Sequence, residues 1–283
     1  MKLMRKNAFA PILILLALLL AGCGGDSAPK PSGSFTTNSI YAFMKAVQDE
    51  SGSVTTTVQL RDGVASTAAY LYLSSGEVLY SSLDKPPQQY MSFSSDLFGN
   101  SLDLSQNLKT MSARDLYMDF VLFVNVVAGK PEYFVSEKPV SGAATVRAYV
   151  DFERSGQVMT GASSIDLPPA FQISAPASAA SIARATPIVL TWTGVDAATT
   201  MRLDAAAACD DGTRNSWNYN IGPDTGTATV NSASFLPATA SPTATCLTAF
   251  MLQRVKTGGV STQFAFGSFE GIQKRTVQFT VTP

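Results

Sequence analysis

The sequence predicts an all-β protein built from two β-sandwich domains. Three observations point there. From Phe35 onward apolar residues recur mainly with period two, the spacing that sends successive side chains to opposite faces of a strand. These runs are short and are separated by turn-forming Gly, Pro, Asn and Asp residues, as a sandwich requires. A change of composition at Gly156–Pro169, with Gly161, Ser163, Ser164, Pro168 and Pro169, divides the chain into residues 35–160 and 161–283. With 283 residues, the chain is long enough for two ordinary domains.

The first 34 residues belong to neither domain. Lys2, Arg5 and Lys6 give a basic start, and Ala8 to Leu20 is almost wholly apolar. That stretch is about the length of a signal-peptide core and well short of the ~20 residues that a membrane-spanning helix needs. An N-terminal membrane helix and an ordinary secretory signal are the alternatives. Leu20-Ala21-Gly22-Cys23 follows, and it resembles the lipobox of bacterial lipoproteins. The resemblance implies a signal peptide over 1–22, a diacylglycerol on the Cys23 thiol, and an acyl chain such as palmitate on its new amine. Two or more chains anchor stably where one does not. Gly24 in place of an Asp after the Cys implies the outer membrane of a Gram-negative cell envelope. Residues 23–34 then form a tether of Gly, Ser and Pro with a random-coil span of roughly 18 Å.

In the N-terminal domain, Ile40 to Val47 reads as a strand, with a short helix as the alternative. Val54, Thr56, Val58 and Leu60 share one face of a half-buried strand that ends at the hairpin signal Asp62-Gly63. Ala68 to Leu73 resumes as a strand, and Ser74-Ser75-Gly76 turns it toward Val78-Leu79-Tyr80. Lys85 to Arg114 is a turn-rich excursion, with a helical turn near Leu104 to Met111. Met118 to Val126 reads as a central strand covered on both faces. Tyr133 to Val135 and Thr145 to Phe152, with Gly142 between them, complete this half.

In the C-terminal domain, Ile188, Leu190 and Trp192 alternate along Pro187 to Gly194, after a segment at Phe171 to Pro176. A large aromatic on the inner face of an early strand resembles immunoglobulin and fibronectin-type domains. Further strands are expected at Met201 to Asp204, Ala228 to Val230, Cys246 to Arg254 and Thr276 to Val281. Arg254, the Gly258-Gly259 turn, a Phe-Gly-rich loop at Phe264 to Gly271 and a final strand after Arg275 form a closing pattern. It is similar to the C-terminal half of two-domain proteobacterial lipoproteins, a likeness that implies a fold and a location and no activity.

Composition excludes several classes of chemistry. The chain has no His, which removes Ser-His-Asp and Cys-His nucleophiles and His metal sites. No Gly-x-Ser-x-Gly elbow or phosphate-binding Gly loop is present. Three of the 20 basic residues and none of the 21 acidic ones precede Cys23, so the remainder carries four more acidic than basic groups. Such a chain offers no basic stripe for nucleic acid. Cys209 and Cys246 remain beyond Cys23, and in an oxidising compartment they read as a disulfide; two buried thiols or a metal site are the alternatives.

Asp204, Asp210, Asp211 and Asp224 gather acidic oxygens near Cys209. They lack the spacing of a calcium loop and read as solvated turn residues, so no metal or cofactor is assigned. Phe264, Phe266 and Phe269 are either a contact patch for a partner or glycan, or a plug at the end of a sandwich. Trp217 and Tyr219 carry the same two readings. The expectation is a lipid-anchored, non-catalytic binding or structural component of the envelope. A carboxylate-dependent glycan hydrolase, or a surface adhesin with a glycan-binding module, is the alternative.

Overall fold

The structure is a computed structural model that describes residues 28–84, 90–91, 132–139, 145–155, 157–158 and 162–283. The chain is all-β. Its first half contributes β1 (Lys30–Pro31), β2 (Tyr41–Gln48), β3 (Val54–Arg61), β4 (Tyr70–Tyr72), β5 (Glu77–Leu83), β6 (Tyr90–Met91), β7 (Tyr133–Glu137), β8 (Arg147–Arg154) and β9 (Gln157–Val158). The second half contributes β10 (Ser163–Asp166), β11 (Ile173–Ala175), β12 (Ser181–Ala183), β13 (Ile188–Trp192), β14 (Thr200–Cys209), β15 (Arg214–Pro223) and β16 (Thr227–Val230). A one-turn helix, α1 (Ser232–Phe235), then leads to β17 (Cys246–Gly258) and β18 (Phe266–Thr282).

One large sheet runs through both halves in the order β1-β4-β3-β2-β18-β17-β14-β15, with β7 also on β3 and β12 also on β18. β18 is the hinge of this arrangement. Its start, Phe266 to Gln273, pairs in parallel with β2, while its end, Thr280 to Thr282, pairs in parallel with β12. Two smaller sheets cover the large one. The first has the order β10-β8-β5-β6 with β9 beside β8; the second is β11-β13-β16.

Register shows that both covers lie on the same face of the large sheet. Phe269, Val277, Phe279 and Val281 are odd positions of one strand and are all buried, so they point the same way. Phe269 belongs to the first core, with Met44, Leu60, Leu79 and Phe152. Val277, Phe279 and Val281 belong to the second, with Leu190, Trp192, Leu203 and Phe250. Two sandwiches therefore share one wall. The division at residue 161 is not one that the sheets follow, because β10 pairs with β8 and Phe264 and Phe269 fill the first core.

Local patterns explain most of these elements. Val54, Thr56, Val58 and Leu60 are buried with half-buried neighbours between them, as alternation requires. Ile188, Leu190 and Trp192 do the same on β13. Two expectations are corrected. Lys30 to Ser34 is not free tether: Lys30 pairs opposite Leu71, Ser32 is fully buried, and the Arg154 guanidinium donates to the carbonyls of Phe35 and Ser32. The Phe-Gly-rich loop is mostly strand, since β18 begins at Phe266. Its glycines are there for close approach. A Cβ on Gly267 would sit 1.9 Å from the Ala42 carbonyl oxygen, and one on Gly271 would sit 3.0 Å from that of Asp166.

The hairpin at Asp62-Gly63 forms, but with a longer connection than a two-residue turn. It spans 62–69, and the Asp62 side chain accepts from the Ala69 N–H at 2.8 Å. Apart from β6, the 85–114 excursion lies outside the described residues, as do the 118–126 strand, the Gly142 turn and Cys23.

Candidate functional site

The interior between the two cores holds the most concentrated chemistry in the described residues. Along β17 the even positions face inward: Cys246, Thr248, Phe250, Leu252 and then Arg254, which is fully buried. Arg254 Nε lies 2.8 Å from Asp224 Oδ2, a close ion contact off hydrogen-bond alignment, and neither side chain is exposed. Arg254 also donates to the carbonyls of Pro169 at 3.0 Å and Thr193 at 3.1 Å, and its guanidinium lies 4.8 Å from the centre of the Phe171 ring. Asp224 accepts from Trp192 Nε1 at 2.6 Å and from the Asp196 N–H at 3.0 Å.

A buried ion pair costs desolvation, which only such dense pairing offsets. This knot ties the linker at Pro169, strand β13 and the loop before β16 onto the shared wall. Its groups are committed to one another, which makes it a fastening and not a reactive site. Sequence reading missed it. Nothing local in the sequence separates Asp224 from the other acids, and the one available signal is an arginine in step with the apolar face of β17.

The other acids go elsewhere. Asp204 accepts from Gln253 Nε2 at 2.6 Å; Asp210 accepts from the Thr245 N–H at 3.2 Å. Asp211 accepts from Thr213 and from the Ser241 N–H, donors that hold its carboxyl below the usual range. They are not brought together with Asp224, and among the described residues no group of three His, Cys, Asp or Glu could hold a metal. Cys209 and Cys246 are joined. They lie directly opposite in the β14–β17 pairing, and the S–S distance is 2.03 Å.

The three phenylalanines separate. Phe264 and Phe269 are core residues, as the plug reading has them, and the patch reading is corrected to Phe266, which is 58% exposed. Trp217 and Tyr219 stack on each other at 5.1 Å along β15, the edge strand; Trp217 packs against the second core and Tyr219 is exposed.

Two cavities lie beside the wall. One, of about 430 Å³, is lined by Gln48, Asp166, Asp196, Lys256 and Gln273 among others. The second, of about 400 Å³, has Glu50 and Arg275 at its margin. A glycoside-cleaving acid needs a carboxyl raised toward neutrality beside its substrate. Asp166 is shifted the other way, because Arg147 donates to it at 2.5 and 3.0 Å. Burial does raise Glu137 and Asp151, yet neither lines either cavity. The arrangement can hold polar groups by hydrogen bonds. No known protein family matches this chain, and no curated protein matches it either.

Proposed function

We propose that this protein is a lipid-anchored component of the bacterial cell envelope, attached through Cys23 and acting by binding or as a structural part without catalysis. The observation that carries the reading is Leu20-Ala21-Gly22-Cys23 behind a basic start and an apolar stretch of signal-peptide length. The Cys209–Cys246 disulfide supports it, since such bonds persist in the oxidising compartment to which the motif directs a chain. The chain's lack of His and the depressed Asp166 support the non-catalytic part.

Gly24 after the Cys favours the outer membrane. The immunoglobulin- or fibronectin-like reading of the second sandwich rests on Trp192, buried on β13. Labelled palmitate fed to cells expressing the full chain should enter the wild type and not Cys23→Ser, and only the wild type should partition into detergent. A Cys23→Ser protein that still takes label and partitions would refute the anchor.

A further inference from the structure

The chain's own topology states which end of the molecule the anchor holds. Four strands bring residues to a single row at one end of the large sheet. Arg61 of β3 lies opposite both Tyr70 of β4 and Tyr41 of β2, and Tyr41 lies opposite Phe266 of β18. β1 joins one residue along, with Lys30 opposite Leu71 and parallel to β4. β4 leads away from the 62–69 loop. Because β1 runs in the same direction, the residues before Lys30 arrive from the side of that loop.

This end carries two of the large exposed hydrophobics. Val64, in the 62–69 loop, is 61% exposed, and Phe266 is 58% exposed. Phe266 meets Tyr41 at 6.4 Å between ring centres. Next to them the Arg61 guanidinium lies over the rings of Phe43 and Tyr70, at 5.3 and 4.4 Å. Aromatic rings with long cationic side chains beside them suit the boundary between headgroups and acyl chains. The loop from Gly63 to Ala69 is small and uncharged, so its approach to lipid desolvates no ion.

Chain length sets the distance. Cys23 and Lys30 are separated by seven residue steps, about 25 Å if fully extended and about 15 Å as a random coil. At the opposite end of the wall lie the Cys209–Cys246 disulfide and exposed Leu247. β18 has 17 residues and runs from the Phe266 end toward the disulfide end over roughly 50 Å.

We propose that the row containing Val64, Tyr41 and Phe266 rests on the phospholipid bilayer that holds the acyl chains of Cys23, with the disulfide end directed away. This rests on the lipid-anchor reading above. The test uses the acylated full chain in vesicles of phosphatidylethanolamine and phosphatidylglycerol carrying a photoactivatable phospholipid. Flotation reports the anchor, and mass spectrometry of the crosslinked protein reports orientation.

The expected result is several-fold more label on residues 62–69 and 264–268 than on 244–249. Val64→Asp/Phe266→Asp should float unchanged while its rim label falls. Protein that floats with equal label at both ends, or with more at 244–249, overturns this orientation and leaves the anchor standing. Rim label that persists in the double variant also overturns it. Protein that fails to float overturns the anchor, and the orientation with it.

Discussion

The two cores share a wall but are closed by different means. The second is fastened from inside. It has a disulfide at one end, the Arg254–Asp224 pair beside the linker, and edge-to-face contacts joining Phe235, Phe250 and Phe279 at 5.0 and 4.9 Å. The first packs around Ile40, Met44, Leu60, Leu79 and Phe152. It is clasped by ion pairs that reach solvent: Lys30–Asp62, Arg147–Asp166 and Arg154–Glu77. Only Glu77 of these six side chains is close to fully buried, at 2%. Interior fastenings are insensitive to salt, while clasps near water are screened. The first core should therefore open at lower free energy than the second, although both lie on one sheet.

The sharpest way to break this contrast is Asp224→Ala. It strands the Arg254 charge in the interior, and a broken buried pair costs about 3–5 kcal/mol. Urea unfolding should show that loss. The double variant Asp224→Leu/Arg254→Met should recover most of it. If Asp224→Ala costs no more than an exposed clasp, about 1 kcal/mol or less, the interior knot is not what closes the second core.

A smaller loss is expected from Cys209→Ala/Cys246→Ala. The bond closes a separation of 37 residues, which in the chain-entropy model contributes roughly 2–4 kcal/mol. Hydrogen exchange should show amides of β14 and β17 near residues 209 and 246 losing protection before those of β3 and β5. Equal loss in both halves would mean that the wall makes them one cooperative unit.

The smallest effect belongs to the Arg147–Asp166 clasp. Its hydrogen bonds lower the Asp166 pKa. The linked stability is therefore present above the unfolded value, near 3.9, and is lost as pH falls through the lower folded value. Arg147→Ala should flatten the acid side of a plot of unfolding midpoint against pH, between about 2 and 5, by lowering the midpoint slightly from about pH 5 up through pH 7 and leaving the most acid end unchanged. An unchanged acid limb would show that the clasp contributes nothing.

Where local chemistry decides structure, the sequence was readable. Alternation places Val54 to Leu60 and Ile188 to Trp192 on buried faces, and an even pair of cysteines beyond Cys23 points to a bond. What was hidden is non-local. Period two says which face a residue takes, but it does not say which strand lies beside it, so the pairing of β2 with β18 left no trace. Gly267 and Gly271 read as turn signals, although their role is to let Ala42 and Asp166 come close. Lys30 to Ser34 reads as linker because its docking uses backbone carbonyls, the Ser32 side chain and the Lys30–Asp62 ion pair, and no apolar stripe. Arg254 and Asp224 lie 30 positions apart and are matched only by the fold.

The parallel pairing of β2 with β18 also governs when the molecule can fold. Gln48 meets Gln273 across 225 positions of chain, and contacts of such separation form late, after long loops have closed. Until residues 266–273 are present, β2 keeps one row of backbone groups bare, the kind of edge along which chains aggregate. Truncation before Phe266 would make that transient state permanent. The completion of the first sandwich is thus timed by the last strand of the second.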